Sequence, residues 1–165
     1  DALLDWINIQ PDLDADRVLV QGASYGGYLA LSVATKYCHQ LRGVISNAGM
    51  TNLATFLRNT EGWRRDIQRA EFGDERDPQT RKYLEHLSPL HNTQQLSCPV
   101  FIIQGKNDPR VSVDEANSLV RVLTQKKTPV WYLLGKNEGH GFADVLNREF
   151  QLHSSIIFIK EYLLR

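Results

Sequence analysis

A serine flanked by glycines separates two apolar segments in residues 18–29, which read Val-Leu-Val-Gln-Gly-Ala-Ser-Tyr-Gly-Gly-Tyr-Leu. Gly22, Ser24 and Gly26 fit the pattern Gly-x-Ser-x-Gly, in which a serine occupies a sharp turn from a strand into a helix. The residues two before and two after it must lack bulk, because the backbone folds tightly around the serine. The N-terminus of the following helix favours negative charge developing at the hydroxyl. The pattern therefore predicts an exposed nucleophile, and the alternative is a glycine-rich turn whose serine has no chemical role.

The composition excludes several classes of function. The chain has 165 residues, of which 42% are hydrophobic and 23% charged, as expected for one globular domain. Nineteen basic residues balance nineteen acidic ones, so we expect no nucleic-acid partner. No apolar run approaches the roughly 20 residues that cross a bilayer, so we expect no membrane partner and, by default, a cytoplasmic location. Cys38 and Cys98 are too few for a disulfide framework and lie outside metal-ligand spacing, and no metal or cofactor is predicted.

Apolar segments of strand length alternate with segments of helical periodicity. Strands are predicted near residues 17–21, 41–46, 100–103 and 130–134. Helices are predicted near 1–10, from the serine turn to about Cys38, from Ser112 with Glu115 completing a capping box, and from Asn147. This alternation predicts an α/β fold with a mostly parallel sheet of about four strands and helices on both faces.

Residues 50–98 interrupt the alternation. Asn52 can cap a short helix, residues 62–65 are expected in irregular chain, and Asp77 followed by Pro78 begins a helix that ends near Ser88. We therefore predict one partial domain over residues 1–165 with a helical insertion at about 50–98. An insertion of this kind commonly covers a functional site.

A reactive serine needs a base to accept its proton, and the base needs a carboxylate to orient it. Asp108 follows the third predicted strand, and His140 follows the fourth between two glycines. Because the carboxyl ends of parallel strands share one edge of the sheet, we expect both side chains to meet Ser24 there. The alternatives are a surface histidine and a turn aspartate at these positions, and Asp144 is a second candidate for the acid.

Three motifs carry a resemblance to a known family: residues 22–28, 107–111 and 138–142. Together they resemble the motifs of the prolyl oligopeptidase family of serine peptidases, most of all its acylaminoacyl-peptidase-like and dipeptidyl-peptidase-like branches. The resemblance covers nearly the whole chain and implies the C-terminal half of an α/β-hydrolase fold. It also implies hydrolysis of short peptides through an acyl-enzyme, with Ser24 as nucleophile, Asp108 as acid and His140 as base.

The same resemblance assigns two further residues. The backbone N–H of Tyr25 would be one oxyanion donor. Arg110 matches a position that binds a substrate carbonyl in this family, and its alternative is an ion pair with a surface carboxylate.

The chain departs from the family because the β-propeller and several strands that precede the serine turn in its members are absent, together with a second oxyanion donor. We therefore expect weak or no peptidase activity for this chain alone. We also expect self-association, or pairing with a missing N-terminal part of the parent, at the exposed edge of the first strand. A carboxylesterase and a non-catalytic hydrolase-fold module for binding or assembly stay open as alternatives.

Overall fold

Four parallel strands form the centre of the computed structural model, which describes residues 2–164. The strands are β1 (Leu19–Ala23), β2 (Gly43–Asn47), β3 (Val100–Gly105) and β4 (Val130–Gly135). They lie in the order β1-β2-β3-β4, and every neighbouring pair is parallel. All four carboxyl ends therefore share one edge of the sheet, as the alternating pattern predicted.

Helices connect the strands and cover both faces of the sheet. They are α1 (Ala2–Asn8), α2 (Tyr25–Tyr37), α3 (Leu53–Asn59), α4 (Gly62–Phe72), α5 (Pro78–Leu87), α6 (Val113–Gln125) and α7 (Val145–Tyr162). Short 3-10 segments span Cys38–Gln40 and Pro89–Gln95. Helices α3, α4 and α5 all lie in the segment between β2 and β3.

The core includes one apolar layer on each side of β3, besides a third buried cluster that contains Leu53 and Leu57 of α3 and Leu84 of α5. Leu31 of α2 and Leu119 of α6 pack with Val100 on one face. Phe158 of α7 packs with Phe101 and other apolar residues on the opposite face. Consecutive residues of a strand point to opposite faces, which explains why a strand covered on both sides is apolar throughout.

Two strands lie further along the chain than predicted. The strand expected at 17–21 is Leu19–Ala23, and the one expected at 41–46 is Gly43–Asn47. Gly22 and Ala23 still pair with β2, opposite Ser46 and Asn47, because the turn begins only at Ser24. A glycine in the sequence had suggested an earlier end to the strand.

The prediction of irregular chain at residues 62–65 is wrong, because these residues begin α4. Gly62 is the first residue of that helix, and the carbonyl of Glu61 accepts hydrogen bonds from the N–H groups of Arg64 and Arg65. Near the other end of α4, the guanidinium of Arg69 is ion-paired with the buried Glu75. Contacts at both ends thus stabilise α4, although Gly62 had suggested a loop.

The capping predictions for the last two helices are confirmed at Ser112 and wrong at Glu115 and Asn147. Ser112 caps α6 by accepting from the N–H of Asp114, but Glu115 does not complete a capping box. Its buried carboxylate instead accepts hydrogen bonds from the N–H groups of Thr51 and Asn52, at 2.9 and 2.7 Å. The cap of α7 is Asp144 rather than Asn147.

Cys38 and Cys98 form a disulfide that the sequence analysis did not predict. Cys38 follows the last residue of α2, and Cys98 lies two residues before β3. Both side chains are buried. The bond therefore links the C-terminal end of α2 to the N-terminal end of β3, at the edge of the sheet opposite the carboxyl ends of the strands.

Within residues 2–164, none of the helices combines the length and the apolar character of a bilayer-spanning helix. The same residues contain no group of three or more histidine, cysteine, aspartate or glutamate side chains arranged to hold a metal ion.

Candidate active site

Ser24 lies at the junction of β1 and α2, where the backbone makes a strained turn. Its φ of 56° and ψ of −121° are rarely adopted by residues other than glycine. Its N–H donates to the carbonyl of Asn47 at 2.8 Å, which ties the turn to β2. A Cβ atom on Gly22 would lie 2.0 Å from the carbonyl oxygen of Gly26, so the turn tolerates no side chain there. This steric cause confirms the glycine requirement at Gly22, but not at Gly26, where a Cβ atom would meet nothing within 4 Å.

Asp108 lies in the loop that follows β3, and hydrogen bonds fix both of its carboxylate oxygens. Oδ1 accepts from the N–H groups of Arg110 and Val111, at 2.8 and 3.0 Å. Oδ2 accepts from the side-chain amide of Gln104 at 3.0 Å and lies 2.8 Å from His140 Nδ1. Burial raises the pKa of Asp108, but the hydrogen bonds from His140 and the two backbone N–H groups outweigh it and hold the pKa below its usual value. The carboxyl is therefore ionised at neutral pH.

His140 follows β4 and lies between the other two side chains. Its Nε2 lies 2.9 Å from Ser24 Oγ, on the side of the ring opposite the contact with Asp108. Because an ionised carboxylate can only accept, Nδ1 carries the ring proton, and Nε2 is free to accept from the serine hydroxyl. The imidazole is 19% exposed. The structure thus brings together the three residues that the sequence placed behind separate strands.

Glu138 holds the loop that carries His140. Its buried carboxylate accepts from the N–H of Ala143 and the side-chain amide of Asn147, both at 2.6 Å. The hydrogen bonds from Asn147 and Ala143 lower the pKa of Glu138. This carboxylate fixes the path of the chain immediately after the histidine.

Gln104 and Glu138 were not predicted as residues of the site. A signal for Gln104 was present, because a polar side chain at the end of a continuous apolar strand must find a buried partner. For Glu138 no local signal distinguishes a loop-fixing carboxylate from a solvated one.

The other predicted residues have separate positions. Tyr25 is the first residue of α2, so its backbone N–H has no acceptor within that helix. Arg110 lies two residues past Asp108 with an exposed side chain. The alternative acid, Asp144, accepts from the N–H of Asn147 as a helix cap, and the position facing His140 belongs to Asp108.

A cavity of about 200 Å³ adjoins Ser24. Its lining is Tyr25, Met50, Phe56, Phe72 and Val111 on the apolar side, with Arg64, Gln68, Glu71 and Arg110 as its charged and polar members. Helix α4 supplies four of these residues at helical spacing: Arg64, Gln68, Glu71 and Phe72. The helical segment between β2 and β3 therefore forms one wall of the cavity beside the serine.

The sequence and the fold of this chain are similar to those of known proteins. A family model described as the prolyl oligopeptidase family matches residues 2–165. Dipeptidyl aminopeptidase BIII of Pseudoxanthomonas mexicana is 35% identical over 149 residues, which cover 87% of this chain and 22% of that protein.

Two solved structures have the same fold. A puromycin-hydrolyzing peptidase of Mycobacterium tuberculosis superposes with a TM-score of 0.90 at 26% identity, covering 98% of this chain and 24% of that one. An acylaminoacyl peptidase of Pyrococcus horikoshii superposes with a TM-score of 0.88 at 21% identity, covering 98% and 26%. Both are peptidases of the α/β-hydrolase fold, and the chain spans about a quarter of their length.

Proposed function

Because the chain belongs to the prolyl oligopeptidase family, we propose that it carries the catalytic residues of a serine peptidase that hydrolyses short peptides. The proposed roles are Ser24 as nucleophile, His140 as general base and Asp108 as the carboxylate that orients it. The observation that carries this proposal is the unbroken series of contacts, 2.9 Å from Ser24 to His140 and 2.8 Å from His140 to Asp108. Both distances lie within hydrogen-bonding range.

The proposed reaction has two halves. Ser24 Oγ attacks the carbonyl carbon of the scissile peptide bond as its proton passes to Nε2 of His140. The C–N bond then breaks, the leaving amine takes that proton, and the acyl group remains on Ser24 as an ester. In the second half a water molecule gives a proton to His140 and attacks the ester, which releases the acid and restores the hydroxyl. Asp108 stays ionised throughout and stabilises the imidazolium.

The backbone N–H of Tyr25 is the proposed donor to the oxyanion that forms in each half. Its place at the start of α2 supports this role, since a helix N-terminus stabilises negative charge. Arg110 is proposed to bind a substrate carbonyl, which is supported by its position on the lining of the cavity beside Ser24.

The aromatic lining of the cavity supports a peptide substrate with an apolar side chain next to the scissile bond. The ring of Phe72 lies 5.8 Å from that of Tyr25 and 6.2 Å from that of Phe56, measured between centroids. An apolar substrate side chain would replace water against these rings at a gain of about 25 cal/mol per Å² buried.

The end of the sheet is a proposed site of association. Strand β1 is the last strand in the order β1-β2-β3-β4, so one side of its backbone lacks a neighbouring strand within residues 2–164. Such an edge favours pairing with another strand, from a second copy or from further chain of the parent protein. A monomer at high concentration in light scattering would contradict self-association.

The catalytic proposal is tested with a fluorophosphonate probe, which bonds covalently to activated serines. We expect the chain to be labelled and Ser24→Ala to lose the label. Ser97→Ala, at an exposed serine, is the matched control and should label like the wild type. Unchanged labelling of Ser24→Ala would contradict the assignment, and an unlabelled wild-type chain would favour a non-catalytic module.

The bond that is cleaved is tested separately. A peptide p-nitroanilide and a p-nitrophenyl ester are offered to the same preparation, and turnover of the p-nitroanilide, however slow, would favour a peptidase over a carboxylesterase.

A further inference from the structure

Gln104 has a side chain that neither packing nor strand pairing accounts for. It is the second-last residue of β3 and is 1% exposed. Its Nε2 lies 3.0 Å from Oδ2 of Asp108, and 3.2 and 3.1 Å from the carbonyl oxygens of Gly105 and Val111. The amide of Gln104 thus contacts the loop that carries Asp108 at its start, its middle and its end.

The chemistry of these three neighbours fixes the orientation of the amide. All three are hydrogen-bond acceptors, so the N–H₂ group must face them, and the reverse orientation would set oxygen against oxygen. The Oε1 atom of Gln104 consequently points away and has no hydrogen-bond partner. A buried acceptor without a partner is destabilising. An apolar side chain of similar length would fill the same space without that penalty, so the N–H group is the part of Gln104 that matters.

The contact with Asp108 has a specific consequence for the carboxylate. Oδ1 is held by two backbone N–H groups, from Arg110 and Val111. Oδ2 is shared by Gln104 and His140 Nδ1. With Gln104 in place, rotation of the carboxylate about its Cβ–Cγ bond would break hydrogen bonds at both oxygens. Oδ2 of Asp108, which faces the imidazole, therefore also accepts a hydrogen bond from the neutral amide of Gln104.

We propose that Gln104 is a positioning residue, whose side-chain N–H holds the carboxylate of Asp108 in the orientation that aligns His140 with Ser24. The proposal rests on the proposed function above for its catalytic consequence. Its structural content, a defined hydrogen bond between Asp108 and His140 that depends on Gln104, can be measured without any turnover.

The test compares two substitutions of Gln104 in the whole 165-residue chain. Gln104→Met keeps the length of the side chain and removes the donor. Gln104→His keeps an N–H donor at a similar reach. Gln94→Met, at an exposed glutamine in the 3-10 segment 89–95, is the matched control.

Two quantities are measured on each folded variant. The first is the far-downfield proton resonance of the hydrogen bond between His140 Nδ1 and Asp108. The second is the rate of fluorophosphonate labelling at Ser24. We expect Gln104→Met to lose the downfield resonance and to label about ten-fold more slowly, as the loss of one hydrogen bond to a charged group predicts. Gln104→His should keep the resonance and most of the rate, and Gln94→Met should match the wild type.

A folded Gln104→Met variant that keeps both the resonance and the rate overturns the proposal, even if its melting temperature falls. Should that variant fail to fold, Gln104→Asn takes its place, because its amide is one methylene too short to reach Asp108 and it should show the same two losses. A wild-type chain that does not label counts against the proposed function only, since the resonance still reports on Gln104.

Discussion

The backbone carbonyl of Glu138 accepts a hydrogen bond from the N–H of Asn107 at 2.9 Å, which joins the loop of the proposed base to the loop of the proposed acid. Gly105, at the end of β3, allows this approach. A Cβ atom there would lie 2.0 Å from the carbonyl oxygen of Gly139 and 2.6 Å from that of Glu138. The relative position of the two loops is therefore set by direct backbone packing as well as by the side chains they present.

Gly105→Ala is expected to separate the two loops. Because the new methyl group meets backbone rather than a flexible side chain, the loops must move, at a cost of about 1–3 kcal/mol in the free energy of unfolding. A displacement of about 1 Å at the site would slow fluorophosphonate labelling by about 100-fold. The matched control is Gly141→Ala, next to His140, where a Cβ atom meets nothing within 4 Å. Equal labelling by both variants would contradict this role of Gly105.

The two buried carboxylates of the site should make stability depend on pH. The pKa of Asp108 lies below its usual value of 3.8, since hydrogen bonds outweigh the effect of burial, and hydrogen bonds hold that of Glu138 below 4.5. A pKa that is lower in the folded state contributes stability above the ordinary value, and this contribution is lost as the pH falls through the folded value. The free energy of unfolding should therefore decrease as the pH is lowered from about 5 to 3.

Urea unfolding at a series of pH values measures this effect. The double variant Asp108→Asn/Glu138→Gln should show a weaker decrease over the same range. The double variant Asp12→Asn/Glu149→Gln, at two exposed positions, is the control and should keep the wild-type dependence. A double variant of the site whose pH dependence equals that of the control would contradict the assignment.

Glu115 is expected to stabilise the segment that precedes α3. Its carboxylate accepts from the backbone N–H groups of Thr51 and Asn52 and from the hydroxyl of Thr51, the latter at 3.0 Å. Glu115→Ala leaves the two buried N–H donors without an acceptor, at about 1–3 kcal/mol each, so the free energy of unfolding measured in urea should fall by roughly 2–6 kcal/mol. Arg121→Ala, exposed on the same helix, should change the free energy of unfolding by less than about 0.5 kcal/mol.

Reduction of the disulfide should lower stability more than any single surface substitution. Cys38 and Cys98 are 60 residues apart in the chain, and closing a loop of that length stabilises the folded state by about 4 kcal/mol on entropic grounds. Urea unfolding with and without dithiothreitol measures the difference. The variant Cys38→Ala/Cys98→Ala should be as unstable as the reduced protein and insensitive to the reductant. Unchanged stability on reduction would show that the bond contributes nothing.

Much of the candidate site could be predicted from the sequence because its determinants are local. The turn at Ser24 needs a glycine two positions before the serine, and Gly22 is visible in the chain within the pattern Gly-x-Ser-x-Gly. Asp108 and His140 each follow an apolar strand, and the topology of a parallel sheet then places both at one edge. Predicting the turn at Ser24 and the shared edge of Asp108 and His140 requires no information about side-chain contacts.

The start of α4 was missed for a local reason, because Gly62 suggested a loop although Glu61 and Glu75 stabilise the two ends of the helix. The other missed features depend on partners far along the chain. Glu115 has the spacing of a capping residue, but its carboxylate reaches residues more than 60 positions away. Cys38 and Cys98 were too few to predict a framework, and the fold brings them together from positions 60 residues apart. Spacing within a short window carries no information on such pairs.

The backbone of Ser24 has a consequence for how this protein would respond to selection. Glycine adopts a φ of 56° freely, whereas a residue with a Cβ atom at this position lowers the free energy of unfolding by about 1–3 kcal/mol. Selection for thermodynamic stability alone would favour glycine at position 24. Under the proposed function, the serine at position 24 supplies the nucleophile at a cost in stability, so Ser24→Gly should melt at a higher temperature than the wild type and lose fluorophosphonate labelling.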